Sequence, residues 1–259
     1  MSSSARSDQL FDQLRARIVS GAFAAGTRLP PERQLAEALD ANRSTLREAL
    51  RRLEQARLIH VRQGQGATVR DFRRDGTIDL LAAYFEHAPP EDAAAALVDL
   101  LAPRTALLRL LLPLAAERRS AADLDALRRA AATVRRAEAS SDRAEAGLAQ
   151  AVWLGALLDA THNVPARWIA NPLIDAVAEL VARYPALVLL EPSFGDMAGE
   201  VTRALAARDH AAALSELSAF YDAVDRRLVQ LAAAARAARA GTARAAGVGD
   251  ETLSKELRP

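Results

Sequence analysis

Two short amphipathic segments separated by a two-residue turn constrain the fold of this sequence more than any other feature. Residues 31–39 and 42–57 each carry apolar side chains at the spacing of one helical face. Only Asp40 and Ala41 separate them, so the chain has to reverse direction within those two residues. This spacing predicts a helix-turn-helix.

The flanking residues extend this motif. A leucine and isoleucine repeat with a serine cap predicts a helix at Ser7–Ser20. Two short alternating runs, 59–62 and 67–70, flank the sequence Gln63-Gly64-Gln65-Gly66, whose glycines permit a tight hairpin. We therefore predict a winged helix-turn-helix domain at residues 1–71.

The rest of the chain is predicted to be entirely helical, with residues 72–76 as the linker. Ala, Leu, Arg and Glu dominate residues 77–239, and no convincing strand occurs there. Residues 240–259 are predicted to be a disordered tail, and Leu107–Leu114, apolar nearly all round, to be a central buried helix. The expected helices lie near 77–87, 90–116, 121–139, 142–161, 166–184, 194–207 and 210–239.

Charge and composition narrow the function classes. The formal net charge is only +1, but residues 1–75 hold 14 arginines against nine acidic residues, which makes this end the candidate for nucleic acid. The absence of cysteine and of an apolar leader favours a cytoplasmic protein. No phosphate-binding loop, dinucleotide glycine motif or hydrolase motif occurs, so we do not expect an enzyme. A purely architectural DNA-binding protein would leave the second domain without a role.

Residues 42–57 also carry Arg43, Arg47 and Arg51, four residues apart beside the leucine face. A recognition helix needs this arrangement, because arginines near its start can form two hydrogen bonds to a guanine in the major groove. A charged face that only meets solvent is the alternative explanation of such a strip. The neighbouring helix and wing favour DNA binding.

The runs Gly26–Ala36 and Asn42–Leu53, followed by the wing glycines, resemble the DNA-binding domain of the GntR family of transcription regulators over residues 8–70. The resemblance implies a homodimer on a short inverted repeat of double-stranded operator DNA. Pro31 stands where the family often has a serine cap, which should weaken but not remove the second helix. The DNA contacts that the resemblance implies are Arg33, Asn42, Arg43, Ser44, Thr45, Arg47, Gln63 and Gly64.

The helical domain resembles the FadR branch of that family, on the sequences Asp75–Leu81, Leu100–Thr105 and Thr161–Asn163. Many members of this branch hold a carboxylate effector on a divalent metal ion bound by an Asp and three His. Aligned on Asn163, those positions fall at or near Gln150, Leu154, Ala198 and Phe220, none of which suits such an ion. We therefore predict no metal and no cofactor.

Fatty-acid-responsive members of the branch also lack these ligands. The resemblance thus implies a regulator that senses fatty acyl-CoA and releases DNA on binding it, with Arg104 and Tyr221 as effector contacts. A regulator that binds another small organic acid through Arg104, also without metal, is the alternative.

Arg104 is notable without any resemblance, because leucines share its helical face and an unpaired charge there would be costly. An anion should therefore meet it, either an effector or an acidic residue from elsewhere in the chain. Trp153 and Trp168 are expected in the core or in a pocket wall.

Overall fold

The computed structural model describes residues 3–62, 64, 66–183, 185, 188 and 192–256. Its order of elements confirms the predicted fold class, a winged helix-turn-helix followed by a helical domain. The elements are α1 (Ser3–Val19), α2 (Glu32–Ala38), α3 (Arg43–Gln55), β1 (Ile59–Arg62), β2 (Gly66–Val69), α4 (Phe72–Asp75), a 3-10 turn (Ile78–Leu80), α5 (Leu81–His87), α6 (Pro90–Arg118), α7 (Ala121–Ala139), α8 (Arg143–Asp159), α9 (Val164–Arg183), α10 (Phe194–Ala206) and α11 (His210–Glu256).

The chain divides into two compact units. The first comprises the residues up to Ala93 together with Asn171–Leu180, and the second comprises Ala94–Ala170 and the residues from Val181 onward. The predicted linker forms α4, and Phe72 packs against the core of the first unit. The predicted division at residues 72–76 and the disordered tail at 240–259 stay predictions.

The core of the first unit is formed by the inner faces of α1, α2 and α3. Leu46, Leu50 and Leu53 of α3 are buried, which confirms the apolar face predicted from their spacing. At the turn between α2 and α3, the Arg6 guanidinium donates to the carbonyl oxygens of Leu39 and Asp40, at 3.3 and 3.0 Å. These bonds satisfy carbonyls that the end of a helix leaves open.

The wing is an antiparallel hairpin in which Ile59 pairs with Val69 and His60 with Thr68. The chain before α2 adds a third extended segment beside β2. The Leu29 N–H donates to the carbonyl of Ala67 at 2.9 Å, and the Val69 N–H donates to the carbonyl of Thr27 at 2.9 Å. The hairpin is therefore held to the body of the domain along one of its edges.

The second unit has a core in which α6, α7, α8, α10 and α11 contribute nearly all of the buried side chains. A chain of edge-to-face aromatic contacts crosses it: Trp153 to Phe194 at 5.5 Å, Phe194 to Phe220 at 5.5 Å, and Phe220 to Tyr221 at 5.2 Å between ring centroids. Such pairs add to the stabilisation that burial alone supplies. The burial of Trp153 confirms its predicted place in the core.

Three sequence predictions are wrong in detail. Ser7 is buried inside α1 and does not cap it, because the helix begins four residues earlier, at Ser3. Leu110 is 67% exposed, so Leu107–Leu114 is not buried all round, and Trp168 is 70% exposed and lies outside the core.

Among the described residues, no helix is long and apolar enough to cross a membrane.

Candidate nucleic-acid interface and effector site

The outer face of α3 presents the arginine strip. Arg47 and Arg51 have side chains that are 63% and 74% exposed, while the leucines beside them are buried. Arg43 is exposed at the first position of the helix. The strip is therefore accessible along the length of α3, as a surface that meets DNA has to be.

The start of α3 is fixed by Asn42. Its side-chain oxygen accepts hydrogen bonds from the Ser44 hydroxyl at 2.7 Å and from both the backbone N–H and the hydroxyl of Thr45 at 2.8 Å. This is the N-cap that the sequence predicts. Thr45 is only 2% exposed, so its side chain is buried and donates to the Asn42 cap, whereas Ser44 stays on the exposed side.

The arginines of this surface differ in their partners. Arg47 pairs with Glu32 at 2.8 Å, Arg51 with Glu48 at 3.4 Å, and Arg33 with Glu37 at 3.7 Å. Arg43 has no ion-pair partner in the part of the chain that the structure describes. Exposed pairs of this kind contribute little to stability, so Arg33 and Arg51 can exchange a carboxylate for a phosphate or a base at small cost.

The second helix forms despite the missing serine cap. Pro31 occupies the N-cap position with no side-chain hydrogen bond, and α2 begins at Glu32, as expected. Arg33 lies on this helix with its side chain 72% exposed. At the wing tip, Gly64 has φ +74°, a conformation in which a residue with a Cβ is strained. Gln63 lies outside the described residues.

The strand register shows a further basic group that helical spacing could not reveal. Thr68 pairs with His60 on one side and bridges to Arg28 on the other, and cross-strand partners lie on the same face of a sheet. Arg62, two residues after His60, shares this face. Arg28 and Arg62 are exposed and have no ion-pair partner among the described residues. The period of two in the wing could have placed Arg62 beside His60, whereas Arg28 precedes α2 and joins this face through a long-range bridge.

Arg104 lies in the second unit and meets an anion, as its surroundings require. Its Nη2 pairs with the carboxylate of Asp225 on α11, and its guanidinium carbon lies 4.3 Å from the ring centroid of Tyr221. The sequence left two possible anions for Arg104, an effector or an acidic residue of the chain, and in the structure Arg104 pairs with the acidic residue. The Arg104 Nε is buried without a hydrogen-bond partner, so the guanidinium keeps an unused donor.

Burial raises the pKa of Tyr221 to about 12, an effect that the nearby Asp225 carboxylate strengthens and the Arg104 cation opposes. Tyr221 is 5% exposed. Tyr221 is therefore a neutral, mostly apolar neighbour of the Arg104 cation at ordinary pH.

The positions aligned with metal ligands have a different environment. Ala198 and Phe220 belong to the apolar core, and Leu154 packs against it. Within the described ranges, no group of three or more His, Asp or Glu residues is arranged to hold a metal ion. The prediction that no metal binds stays a prediction.

Comparisons with known proteins agree with this architecture. The family model described as bacterial regulatory proteins of the gntR family matches residues 6–69. An uncharacterised HTH-type transcriptional regulator of Mycobacterium tuberculosis is 34% identical over 217 residues, which cover 82% of this chain and 85% of that protein. The fatty acid metabolism regulator protein of Vibrio cholerae is 34% identical over 88 residues, 34% of this chain and 31% of that protein.

Among solved structures, Lar of Listeria monocytogenes superposes with a TM-score of 0.60 at 15% identity, covering 87% of this chain and 97% of that one. At this identity the likeness shows the fold alone.

Proposed function

This chain belongs to the GntR family and is a DNA-binding transcription regulator, and from that premise we propose that it binds an inverted-repeat operator as a homodimer and releases it when a fatty acyl-CoA binds. One recognition helix reads only a few base pairs, and two-fold symmetry doubles the length of the site. Such a regulator acts where the DNA is, in the cytoplasm.

The observation that carries the DNA-binding proposal is the exposed arginine strip of α3 above a buried leucine face. We propose that Arg43 and Arg47 contact base edges, that Ser44 and Asn42 meet phosphate at the helix start, and that Arg33 supports them from α2. The wing tip at Gln63 and Gly64 would enter the adjacent minor groove. Because Thr45 is buried, we do not assign it a direct base contact.

The effector proposal rests on Arg104. A cation that is mostly shielded from water, stacked on a buried tyrosine and left with a free Nε, supports binding of an anionic head group beside or in place of Asp225. An acyl chain would fill apolar space among the helices of the second unit. The similarity to a protein named as a fatty acid metabolism regulator, over 34% of this chain, is the support for acyl-CoA. Another small organic acid, bound through Arg104 without metal, is the alternative.

For the ligand to act as a switch, it must prefer the dimer shape that does not fit DNA. A coupling free energy of about 1–3 kcal/mol would lower operator affinity by roughly 5- to 150-fold. Linkage requires that operator DNA weakens acyl-CoA binding by the same factor.

Calorimetry of the full chain with a long-chain acyl-CoA, and separately with short carboxylic acids, tests the ligand class. We expect heat with the acyl-CoA, and weaker operator binding in its presence. Heat with the short acids alone would replace the acyl-CoA by the alternative effector. Acyl-CoA binding that leaves operator affinity unchanged would contradict its role as a switch.

A further inference from the structure

We propose that Glu32 is a positioning residue that decides which nitrogens of Arg47 face the DNA, and thereby sets the sequence specificity of α3. This inference rests on the proposed function, because it takes α3 as the helix that enters the major groove. Nothing in the sequence pattern of α3 alone points to Glu32, which lies 15 residues before Arg47 and on a different helix.

The contact occupies one edge of the guanidinium. The Arg47 Nε donates to the Glu32 Oε2 at 2.8 Å, and the two terminal nitrogens of Arg47 have no hydrogen-bond partner in the described chain. A guanidinium is planar and has five N–H donors in a fixed geometry. With Nε held by the carboxylate, the edge formed by the two terminal nitrogens remains free, and this edge can bind O6 and N7 of one guanine together.

The carboxylate comes from a rigid part of the domain. Glu32 is the first residue of α2 and follows Pro30 and Pro31, whose rings restrict the backbone. Leu35, one turn later, is 2% exposed and packs in the core that α2 shares with α3. Glu32 can therefore hold the guanidinium at a defined position relative to the helix, which reduces the conformational entropy that Arg47 loses on binding.

The charge of Glu32 has a second consequence. A carboxylate beside Arg47 repels the phosphates of the DNA backbone, so Arg47 gains less from a phosphate that any sequence offers than from a guanine. Arg51, by contrast, pairs with Glu48 of its own helix through a terminal nitrogen, and Arg43 has no ion-pair partner in the described residues. Among the arginines of this strip, the structure pairs Arg47 with a carboxylate from another helix, and this carboxylate orients it.

The test uses the full chain and a duplex that the wild-type protein selects from a random library. Affinities for this duplex, for its single-base variants and for an unrelated duplex are measured over a range of salt concentrations. The variants are Arg47→Ala, Glu32→Ala and Glu32→Gln, with Glu48→Ala as the matched control, since it removes a carboxylate from an arginine of the same strip.

We expect Arg47→Ala to identify the base position that Arg47 reads. Glu32→Ala should reduce discrimination at that position by about fivefold or more, because an unrestrained Arg47 loses its paired hydrogen bonds to guanine. It should also raise the affinity for the unrelated duplex and make the logarithmic salt dependence steeper by about 0.9, the value for one added phosphate contact. Glu32→Gln should keep the discrimination, because its amide oxygen still accepts from Nε, while its affinity for the unrelated duplex rises.

The control Glu48→Ala should leave base discrimination unchanged. Unchanged discrimination in Glu32→Ala would overturn the inference, and so would an equal loss in Glu32→Gln, since that would assign the effect to charge alone. The midpoint temperature of thermal unfolding should change little in all of these variants, because the pair is exposed. If the wild-type chain selects no preferred duplex, the proposed function itself fails, a result distinct from selection that is intact but independent of Glu32.

Discussion

The guanidinium of Arg104 on α6 lies over the ring of Tyr221 on α11, 4.3 Å from its centroid, so a cation and a buried aromatic join two helices far apart in sequence. A cation over an aromatic face gains more when both groups are shielded from water. Asp225, one turn beyond Tyr221, completes the group. The stability of the second unit should therefore depend on all three side chains.

Asp225→Ala should destabilise the protein by about 1–3 kcal/mol, because it leaves the mostly buried Arg104 cation without its anion. The matched control is Asp222→Ala on the same helix, whose partner Arg109 lies at 3.3 Å in a more exposed pair. That variant should cost less than about 1 kcal/mol. Urea unfolding of both variants measures the difference. Equal losses in the free energy of unfolding would show that the Arg104 pair stabilises the protein no more than the exposed pair does.

Stability should fall as the pH rises from about 10 to about 12 because of Tyr221. Its pKa is raised to about 12 in the folded protein, whereas an unfolded tyrosine titrates near 10. The unfolded state therefore loses its proton first, and the stabilisation present below pH 10 disappears by about pH 12. This difference between the folded and unfolded pKa corresponds to about 2–3 kcal/mol of stability.

The measurement for this prediction is the free energy of unfolding at several pH values for wild type and Tyr221→Phe. The variant lacks the ionisable hydroxyl, so its stability should decline less over this interval. Parallel pH curves for the two proteins would refute the assignment to Tyr221.

Alanine substitutions at two glycines should have opposite effects, because α7 packs closely against α10 at Gly195 while Gly155 has space around it. A Cβ at Gly195 would lie 2.5 Å from Cγ and 2.9 Å from the backbone N of Arg135, so Gly195→Ala should cost about 1–3 kcal/mol. At Gly155, inside α8, the nearest atom would be 3.7 Å away. Gly155→Ala should stabilise the protein by about 0.5–1 kcal/mol through helix propensity. Thermal unfolding distinguishes the two, and a stabilising Gly195→Ala would contradict the packing.

Interactions between residues close in sequence were sufficient to predict much of the fold. The bounds of α7 match the predicted 121–139, because Ser120 and Asp123 form a reciprocal capping box at its start. The cap at Asn42 likewise fixed the start of α3. These interactions involve residues three positions apart, so the sequence contains all the information that they need.

Long-range features could not be predicted in this way. Asp225 is 121 residues from Arg104, and no spacing rule connects a cation with an acid at that distance. Periodicity placed Leu110 and Trp168 on helices, but which helix face becomes covered depends on elements that fold against it. The Arg47 contact with Glu32 also follows from the packing of two helices.

The last prediction concerns DNA binding by the basic sheet face that contains Arg28, His60 and Arg62. Arg28 is exposed and shares a sheet face with His60 and Arg62. If this face meets the DNA backbone, Arg28→Ala should lower affinity by a similar factor for every duplex and reduce the salt dependence by about 0.9, because one phosphate contact is lost.

Arg129→Ala, at an exposed site of α7, is the control and should leave DNA binding unchanged. Fluorescence anisotropy with a selected and an unrelated duplex, between about 50 and 200 mM salt, covers the range in which such contacts weaken most clearly. A loss confined to the selected duplex would instead make Arg28 a base-reading residue, and an unchanged salt dependence would remove the wing face from the DNA interface.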